Sequence, residues 1–176
     1  MDNLKLTNFI EAYKDKKAAV IGVGISNRPL IRWLYGNGIK VTAFDILPED
    51  DPSIVKTKEE FEKDSISIDW SLGKDYLKAL ENDNFDIVFK TPKMRLEIPE
   101  LSHAKAKGSV LTSEMELFMS LCPAQIFAIT GSDGKTTTTT IVSELLKEAG
   151  YKVWLGGNIG TPLLDKIGEV KPEDKV

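Results

Sequence analysis

Apolar residues along this chain fall in short, nearly unbroken runs separated by stretches of helical period, and the runs end in glycine or a turn. The first run, AAVIGVG over 18–24, reads as a strand buried on both faces, as a central strand of a parallel sheet would be. A helix is predicted after it, with Ser26 or Asn27 as N-cap, Pro29 in the first turn, Leu30, Ile31 and Leu34 as its apolar face and Gly36-Asn37-Gly38 as its stop. KVTAFD over 40–45 predicts a second strand. Further on, 76–81 reads as a helix, FDIVF over 85–89 as a strand, 98–107 as a helix stopped by Gly108, 110–112 as a short strand and 116–119 as helical. Between 45 and 64 stand eight acidic residues, three lysines and two prolines, a pattern that predicts a solvated loop and a polar helix. Strands alternating with helices place the chain in the α/β class, with four strands by residue 112.

Leu121-Cys122-Pro123 marks a boundary, because proline cannot continue the preceding helix and a new apolar run starts at once. It divides the chain into domains 1–122 and 123–176. In the second, 126–130 is expected to be a strand, and GSDGKTTTTT opens a helix whose apolar positions are Ile141, Val142, Leu145, Leu146 and Ala149, capped by Gly150. A strand over 151–155, a loop GGNIGTP over 156–162, a short helix and a charged tail follow. Two strands and one full helix are too few to cover a parallel sheet on both faces, so this domain reads as unfinished.

Composition narrows the function. The chain has 176 residues, 41% of them hydrophobic and 28% charged, enough for one core and a smaller second element. With 23 Lys+Arg against 27 Asp+Glu, the net charge of -4 gives no extended basic field, which argues against a nucleic-acid partner and makes any phosphate binding local. The single cysteine, Cys122, excludes an internal disulfide, and with His103 as the single histidine no Cys/His metal cage is available. A reducing cytoplasm fits. The N-terminal segment lacks the apolar core of a secretory signal, and no run approaches the roughly 18 apolar residues of a membrane span, so neither export nor a membrane is expected. His103 is expected at the surface, Cys122 as a buried thiol, and Trp33, Trp70 and Trp154 as packing residues.

Three motifs carry candidate chemistry. Thr130-Gly131-Ser132-Asp133-Gly134-Lys135-Thr136 lies between a predicted strand and a predicted helix, the context of a phosphate-binding loop. Glycines let N–H groups turn inward around phosphate oxygens, the helix N-terminus adds positive potential, lysine neutralises the β/γ oxygens and the hydroxyl can ligate Mg²⁺. Ile129 stands where GxxxxGK[ST] has its first glycine, so the loop is a shorter variant. Gly22-Val23-Gly24-Ile25-Ser26-Asn27 follows the first strand, and Asp45 ends the second strand 23 residues past Gly22. Together they resemble a dinucleotide fingerprint with an acidic ribose ligand, although Asn27 replaces the third glycine. They leave open a nucleotide or sugar-nucleotide site and a plain βα turn. Gly156-Gly157-Asn158-Ile159-Gly160-Thr161-Pro162 follows the strand expected beside the phosphate loop and should line the same crevice.

TGSDGKTTTT at 130–139 and GYKVWLGGNIGTPL at 150–163, preceded by VIGVGIS at 20–26 and SEMELF at 113–118, resemble the Mur ligases, most closely the D-glutamate-adding members. The resemblance spans essentially the whole chain and is most specific in the first two motifs. It implies a Rossmann-like parallel-sheet domain for the uridine diphosphate, followed by an incomplete P-loop ATPase central domain. It also implies ATP and Mg²⁺ as cofactors, UDP-MurNAc-L-alanine and D-glutamate as substrates, and an acyl phosphate on the way to the amide. The resemblance further implies a place in peptidoglycan precursor synthesis in the cytoplasm, which would underlie cell shape and division.

By the same resemblance, Lys135 and Thr136 are catalytic, with Lys135 on the ATP phosphates and Thr136 on Mg²⁺. Gly131, Ser132, Asp133, Gly134, Lys135, Thr136 and Thr137 form the ATP-binding loop. Ile25, Ser26, Asp45 and Thr91 contact the uridine diphosphate, and Asn158 the substrate near its diphosphate and sugar. Asp133 stands where the family usually has asparagine, and its carboxylate repels phosphate. Asn27 stands in place of a glycine, and Lys93 follows Thr91-Pro92 where Ser-Pro-Gly is common. The chain stops at Val176, before the family's Glu-Leu-Ser-Ser segment, its modified lysine and its C-terminal domain. The expectation is an N-terminal fragment, inactive alone and with an exposed edge that invites self-association, of an enzyme that is monomeric at full length. Two other readings compete: a non-catalytic nucleotide-binding module, and a nicotinamide-dependent oxidoreductase, for which no catalytic His/Lys pair is present.

Overall fold

The structure, a computed structural model, describes residues 3–24, 27–91, 94–95, 97–157 and 162–176. Helix α1 (Leu4–Tyr13) leads into strand β1 (Lys17–Ile21), helix α2 (Asn27–Gly36), strand β2 (Lys40–Asp45) and helix α3 (Pro52–Lys63). Strand β3 (Asp69–Leu72), a 3₁₀ turn (Tyr76–Lys78), the one-turn helix α4 (Ala79–Asn82), strand β4 (Ile87–Phe89), helix α5 (Pro99–Ala106) and strand β5 (Val110–Thr112) complete the first unit. Helix α6 (Glu114–Leu121) and helix α7 (Lys135–Glu148) follow, and a 3₁₀ helix covers Leu164–Glu169. The chain divides into two compact units, Phe9–Glu114 and Met115–Val176 with Met1–Asn8. Residue 122, the expected boundary, falls inside the second unit, where Phe118, Leu121 and Cys122 are buried.

In the first unit all five strands pair in parallel, in the order β3-β2-β1-β4-β5. This is the parallel α/β sheet that the alternation of runs predicts, and the Rossmann-like domain that the resemblance implies. Ala18 to Ile21 are all buried, as a strand covered on both faces requires. On one face Ala19, Ile21, Phe44 and Val88 pack with Leu80, Leu101 and Ala104. The alternate positions Ala18 and Val20 point the other way, toward the layer that supplies buried Leu30, Ile31 and Leu34 of α2 and Ile54 and Phe61 of α3. Helix α3 starts at Asp51, whose carboxylate accepts the Ser53 N–H at 2.9 Å.

Four strands were expected before residue 113 and five are present. The additional one, β3, is a four-residue edge strand, DWSL, too short and too polar to display an apolar run. Helix α1 was likewise not predicted. Its apolar residues Leu6, Phe9, Ile10 and Tyr13 do recur at helical spacing and are its half-buried positions, a period hidden in the sequence by the charged residues around it.

The second unit departs further from expectation. Residues 126–130 and 151–155 form no strands. Instead Gln125 and Val153 each make a single parallel bridge to Lys175, so that the end of the chain runs between them. Phe127 N–H donates to the Val176 carbonyl at 2.8 Å and Trp154 N–H to the Lys175 carbonyl at 2.8 Å. A ladder needs a partner along its whole length, and beyond these bonds and the Lys175 N–H donated to the Lys152 carbonyl at 2.9 Å neither segment has a strand partner among the described residues. Helix α7 forms as expected, but Ile141 is 54% and Leu145 65% exposed. Val142 and Leu146 face a cavity of about 240 Å³ whose other walls include Phe118, Ile126 and Trp154.

Candidate functional site

The strand order reverses between β1 and β4, so the crevice for a ligand lies outside their carboxyl ends. Three predicted features meet there. Gly22, just past β1, has φ of +83°, and its N–H donates to the Phe44 carbonyl at 2.6 Å. A Cβ on Gly22 would stand 2.9 Å from Thr91 Cγ2, so only glycine lets the β1 turn pass the residue that follows β4. Asp45, at the end of β2, accepts the Val23 N–H through Oδ2 at 2.8 Å and the Leu47 N–H through Oδ1 at 3.1 Å. Its carboxylate thus ties the glycine turn after β1 to the turn after β2, and each oxygen keeps a lone pair for a ligand donor.

Asn27 replaces the third glycine and closes the loop in its own way. Its side-chain amide donates to the Ile21 carbonyl at 3.1 Å and the Gly22 carbonyl at 2.7 Å. Arg28 Nε adds a bond to the Val23 carbonyl at 3.3 Å. The turn that a glycine would make by close approach is here held by side-chain bonds. Of the other residues expected on the uridine diphosphate, Ile25 and Ser26 lie outside the described residues, as does Lys93.

Sequence reasoning missed Tyr76, in the 3₁₀ turn after β3. Gly73 N–H donates to the Asp45 carbonyl at 3.0 Å, and Tyr76 N–H to the Gly73 carbonyl at 3.1 Å. Burial, and then the negative charges of Asp45 and Glu100, push the Tyr76 phenol above its ordinary pKa. The signal was an aromatic residue a few positions past a strand, and it was illegible because that strand was itself unrecognised.

The second unit holds the other predicted group. Gly131, Ser132, Asp133, Gly134, Lys135, Thr136 and Thr137 come together as a turn into the first turn of α7. Gly134 is its N-cap in the left-handed region, with φ of 73°, and Gly131 has φ of 149°. No atom lies within 4 Å of a Cβ built on Gly134, so the space in front of the loop is open. Lys135 Nζ folds back onto the Gly131 carbonyl and, at 2.9 Å, onto the Ser132 carbonyl. The ammonium is thereby parked over the loop, and the N–H groups of the first turn of α7 are without intrahelical partners by the nature of a helix start. Such a cradle fits the phosphates of a nucleotide, and the exposed Thr136 hydroxyl fits a cation bound to them. Asp133 is exposed in the same turn.

Asn158 lies outside the described residues, but the segment leading to it is anchored. Trp154 Nε1 donates to Asp174 Oδ2 at 2.8 Å, and the Lys171 N–H donates to the same oxygen at 3.0 Å. Burial pushes the Asp174 carboxyl up, but these two donors and the Lys152 and Lys171 ammoniums outweigh it and hold the carboxyl below its ordinary value. Lys152 Nζ sits 4.1 Å from the centre of the Trp154 ring. His103 is exposed and Cys122 buried, as expected.

No family model matches the chain. Curated relatives do. A UDP-N-acetylmuramoylalanine–D-glutamate ligase of Acetivibrio thermocellus is 55% identical over 174 residues, 99% of this chain and 36% of that protein. Ligases of the same name from Ruminiclostridium cellulolyticum and Clostridium acetobutylicum are 53% identical over 175 residues and 52% over 174, covering 99% and 96% of this chain. The chain is a homologue of the D-glutamate-adding Mur ligases. It spans about a third of the length of these relatives, 35–36%. Among solved structures, a murein peptide ligase from Psychrobacter arcticus matches with a TM-score of 0.48 at 17% identity, over 91% of this chain and 36% of that one. Within this D-glutamate ligase homologue, no helix among the described residues is long and apolar enough to cross a membrane.

Proposed function

We propose that this chain is the part of a D-glutamate-adding ligase that holds the uridine diphosphate of UDP-MurNAc-L-alanine and carries the phosphate loop for ATP. The observation that carries this reading is the identity of more than half of its residues with ligases of that name over nearly its whole length. The crevice at Gly22, Asp45 and Thr91 and the loop at 131–137 support it independently, because each has the chemistry its ligand needs.

ATP with Mg²⁺ supplies the phosphoryl group. Gly131, Ser132 and Gly134 turn backbone N–H groups toward its phosphates, and Lys135 exchanges its two loop carbonyls for phosphate oxygens, spreading positive charge over the group in transfer. Thr136 offers its hydroxyl to the cation. An oxygen of the alanine carboxylate attacks the γ-phosphorus and ADP leaves. The amine of D-glutamate then attacks the acyl carbon, forming the amide as phosphate departs and a proton is lost. The chain alone does not complete this sequence, since it spans about a third of its relatives and its second unit pairs the loop-bearing segment through a single bridge.

Phosphate release tests the reading. In a full-length ligase carrying this sequence, release must require ATP, UDP-MurNAc-L-alanine and D-glutamate together, and the 176-residue chain must release none. Release without the UDP-sugar, or turnover by the chain alone, contradicts it.

A further inference from the structure

We propose that Asn27 is a positioning residue for the diphosphate of the bound nucleotide; this rests on the reading above. It draws the carbonyls of the glycine turn away from the ligand, so that the turn presents an N–H. Four consecutive carbonyls, from Ile21 at the end of β1 to Gly24, are all taken by two residues at the start of α2. The Asn27 side-chain amide holds those of Ile21 and Gly22 at 3.1 and 2.7 Å, and Arg28 Nε holds that of Val23 at 3.3 Å. The backbone N–H groups of Asn27 and Arg28 both donate to that of Gly24 at 3.1 Å. In a trans peptide the next N–H points opposite to the carbonyl, and none of the described peptides is cis. The Gly22 carbonyl, drawn to Asn27, therefore sends the Val23 N–H the other way, where Asp45 Oδ2 accepts it at 2.8 Å. The Val23 carbonyl, drawn to Arg28, likewise sends the Gly24 N–H away from that side chain. Among the described residues this N–H has no partner, and Gly24 is exposed, with no atom within 4 Å of a Cβ built on it.

Asp45 makes the arrangement matter. Its carboxylate already sets a negative charge against the turn, so a carbonyl swung toward the ligand beside it would add to the repulsion of a diphosphate, whereas an N–H offsets it. Gly22, with φ of +83° and no side chain, leaves its peptide unit free to rotate, and the Asn27 amide is what pins the carbonyl. A glycine at 27, as in the dinucleotide fingerprint, has no such donor. Both of the bonds that Asn27 Nδ2 makes go to the turn, so the residue acts on the ligand through the backbone at 22 and 23 and not by touching it.

NMR titration of ¹⁵N-labelled wild type, Asn27→Ala and Asn27→Asp with UDP, inorganic pyrophosphate and uridine tests the assignment, the Asn27 side-chain amide being identified by its loss in the variants. The expected result is UDP and pyrophosphate binding weakened about tenfold in Asn27→Ala, the scale of one hydrogen bond to a charged group, with uridine binding unchanged. Pyrophosphate shifts the Gly24 N–H in wild type and shifts it less in the variant, while the Asn27 side-chain amide stays in place with every ligand. Asn27→Asp, which keeps the shape and cannot donate, weakens UDP at least as much. Wild-type affinity for UDP in either variant overturns the proposal. So does an equal loss of uridine binding, which marks a purely structural role, or an Asn27 amide shifted by UDP, which marks direct contact. If wild type binds neither UDP nor pyrophosphate, the nucleotide reading itself fails and takes this assignment with it.

Discussion

Thr91 Cγ2 lies 2.9 Å from where a Cβ on Gly22 would stand, at a residue whose φ is +83°. The contact couples the turn after β1 to the turn after β4 across the reversal of strand order. Gly22→Ala therefore meets both backbone strain and a clash and should cost about 2–4 kcal/mol, a fall in Tm on the order of 10 °C, with UDP binding lost. Thr91→Ser removes Cγ2 and keeps the hydroxyl, so the double variant should recover part of the loss. A double variant no more stable than Gly22→Ala would show that the clash is not the cause.

Asp45 carries two bonds to backbone N–H groups, and that of buried Val23 has no water to turn to. Asp45→Ala should destabilise by about 1–3 kcal/mol, measured by urea unfolding. Asp45→Asn keeps one acceptor oxygen and should cost about half as much. Equal costs would mean that only one of the two bonds matters.

Among the described residues the Lys135 ammonium is bonded only to loop carbonyls, in an exposed turn. Lys135→Ala should leave Tm nearly unchanged and lower ligation by the full-length enzyme at least about a hundredfold, the usual scale for removing a preorganised charge from phosphoryl transfer. A rate within a few-fold of wild type would refute its role.

Asp133, exposed in the same turn, places a negative charge where phosphates are to bind. At about 4 Å in water such a pair repels by about 1 kcal/mol. Asp133→Asn should accordingly tighten ATP binding roughly fivefold, the factor that corresponds to that energy, and more at low salt. Unchanged affinity at all ionic strengths would place the carboxylate out of reach of the phosphates.

Asp174 sets a pH dependence. Its folded pKa lies below the unfolded value, so the carboxylate contributes stability that is complete above about pH 4, the ordinary aspartate value, and is lost as pH falls through the folded pKa. The stability gap between wild type and Asp174→Asn should be constant at neutral pH and shrink below about pH 4. Trp154, whose indole N–H the carboxylate accepts, reports it by fluorescence in a Trp33→Phe, Trp70→Phe background. A gap that widens on acidification would contradict the assignment.

The first unit was largely legible because its strands are buried on both faces: AAVI and FDIVF announce themselves, and their order in the chain implies a parallel sheet. Strand β3 escaped, since Asp69 is exposed and Trp70, Ser71 and Leu72 only half-buried, and Tyr76 escaped with it. The phosphate loop was readable from glycine, lysine and threonine at fixed spacing, because each meets a local backbone or charge requirement. What periodicity could not supply was the pairing of 126–130 and 151–155. An apolar run states that a segment seeks a partner, and not where that partner lies. Nor could sequence show that Asp45 accepts the Val23 N–H, a contact between residues 22 positions apart in the chain.

The most direct test of the central claim is calorimetric titration of the 176-residue chain with UDP-MurNAc-L-alanine, with UDP and NAD as comparators. The account predicts that both UDP compounds bind, that NAD does not, and that Asp45→Ala abolishes the binding. Preference for NAD, or UDP binding indifferent to Asp45, would contradict it.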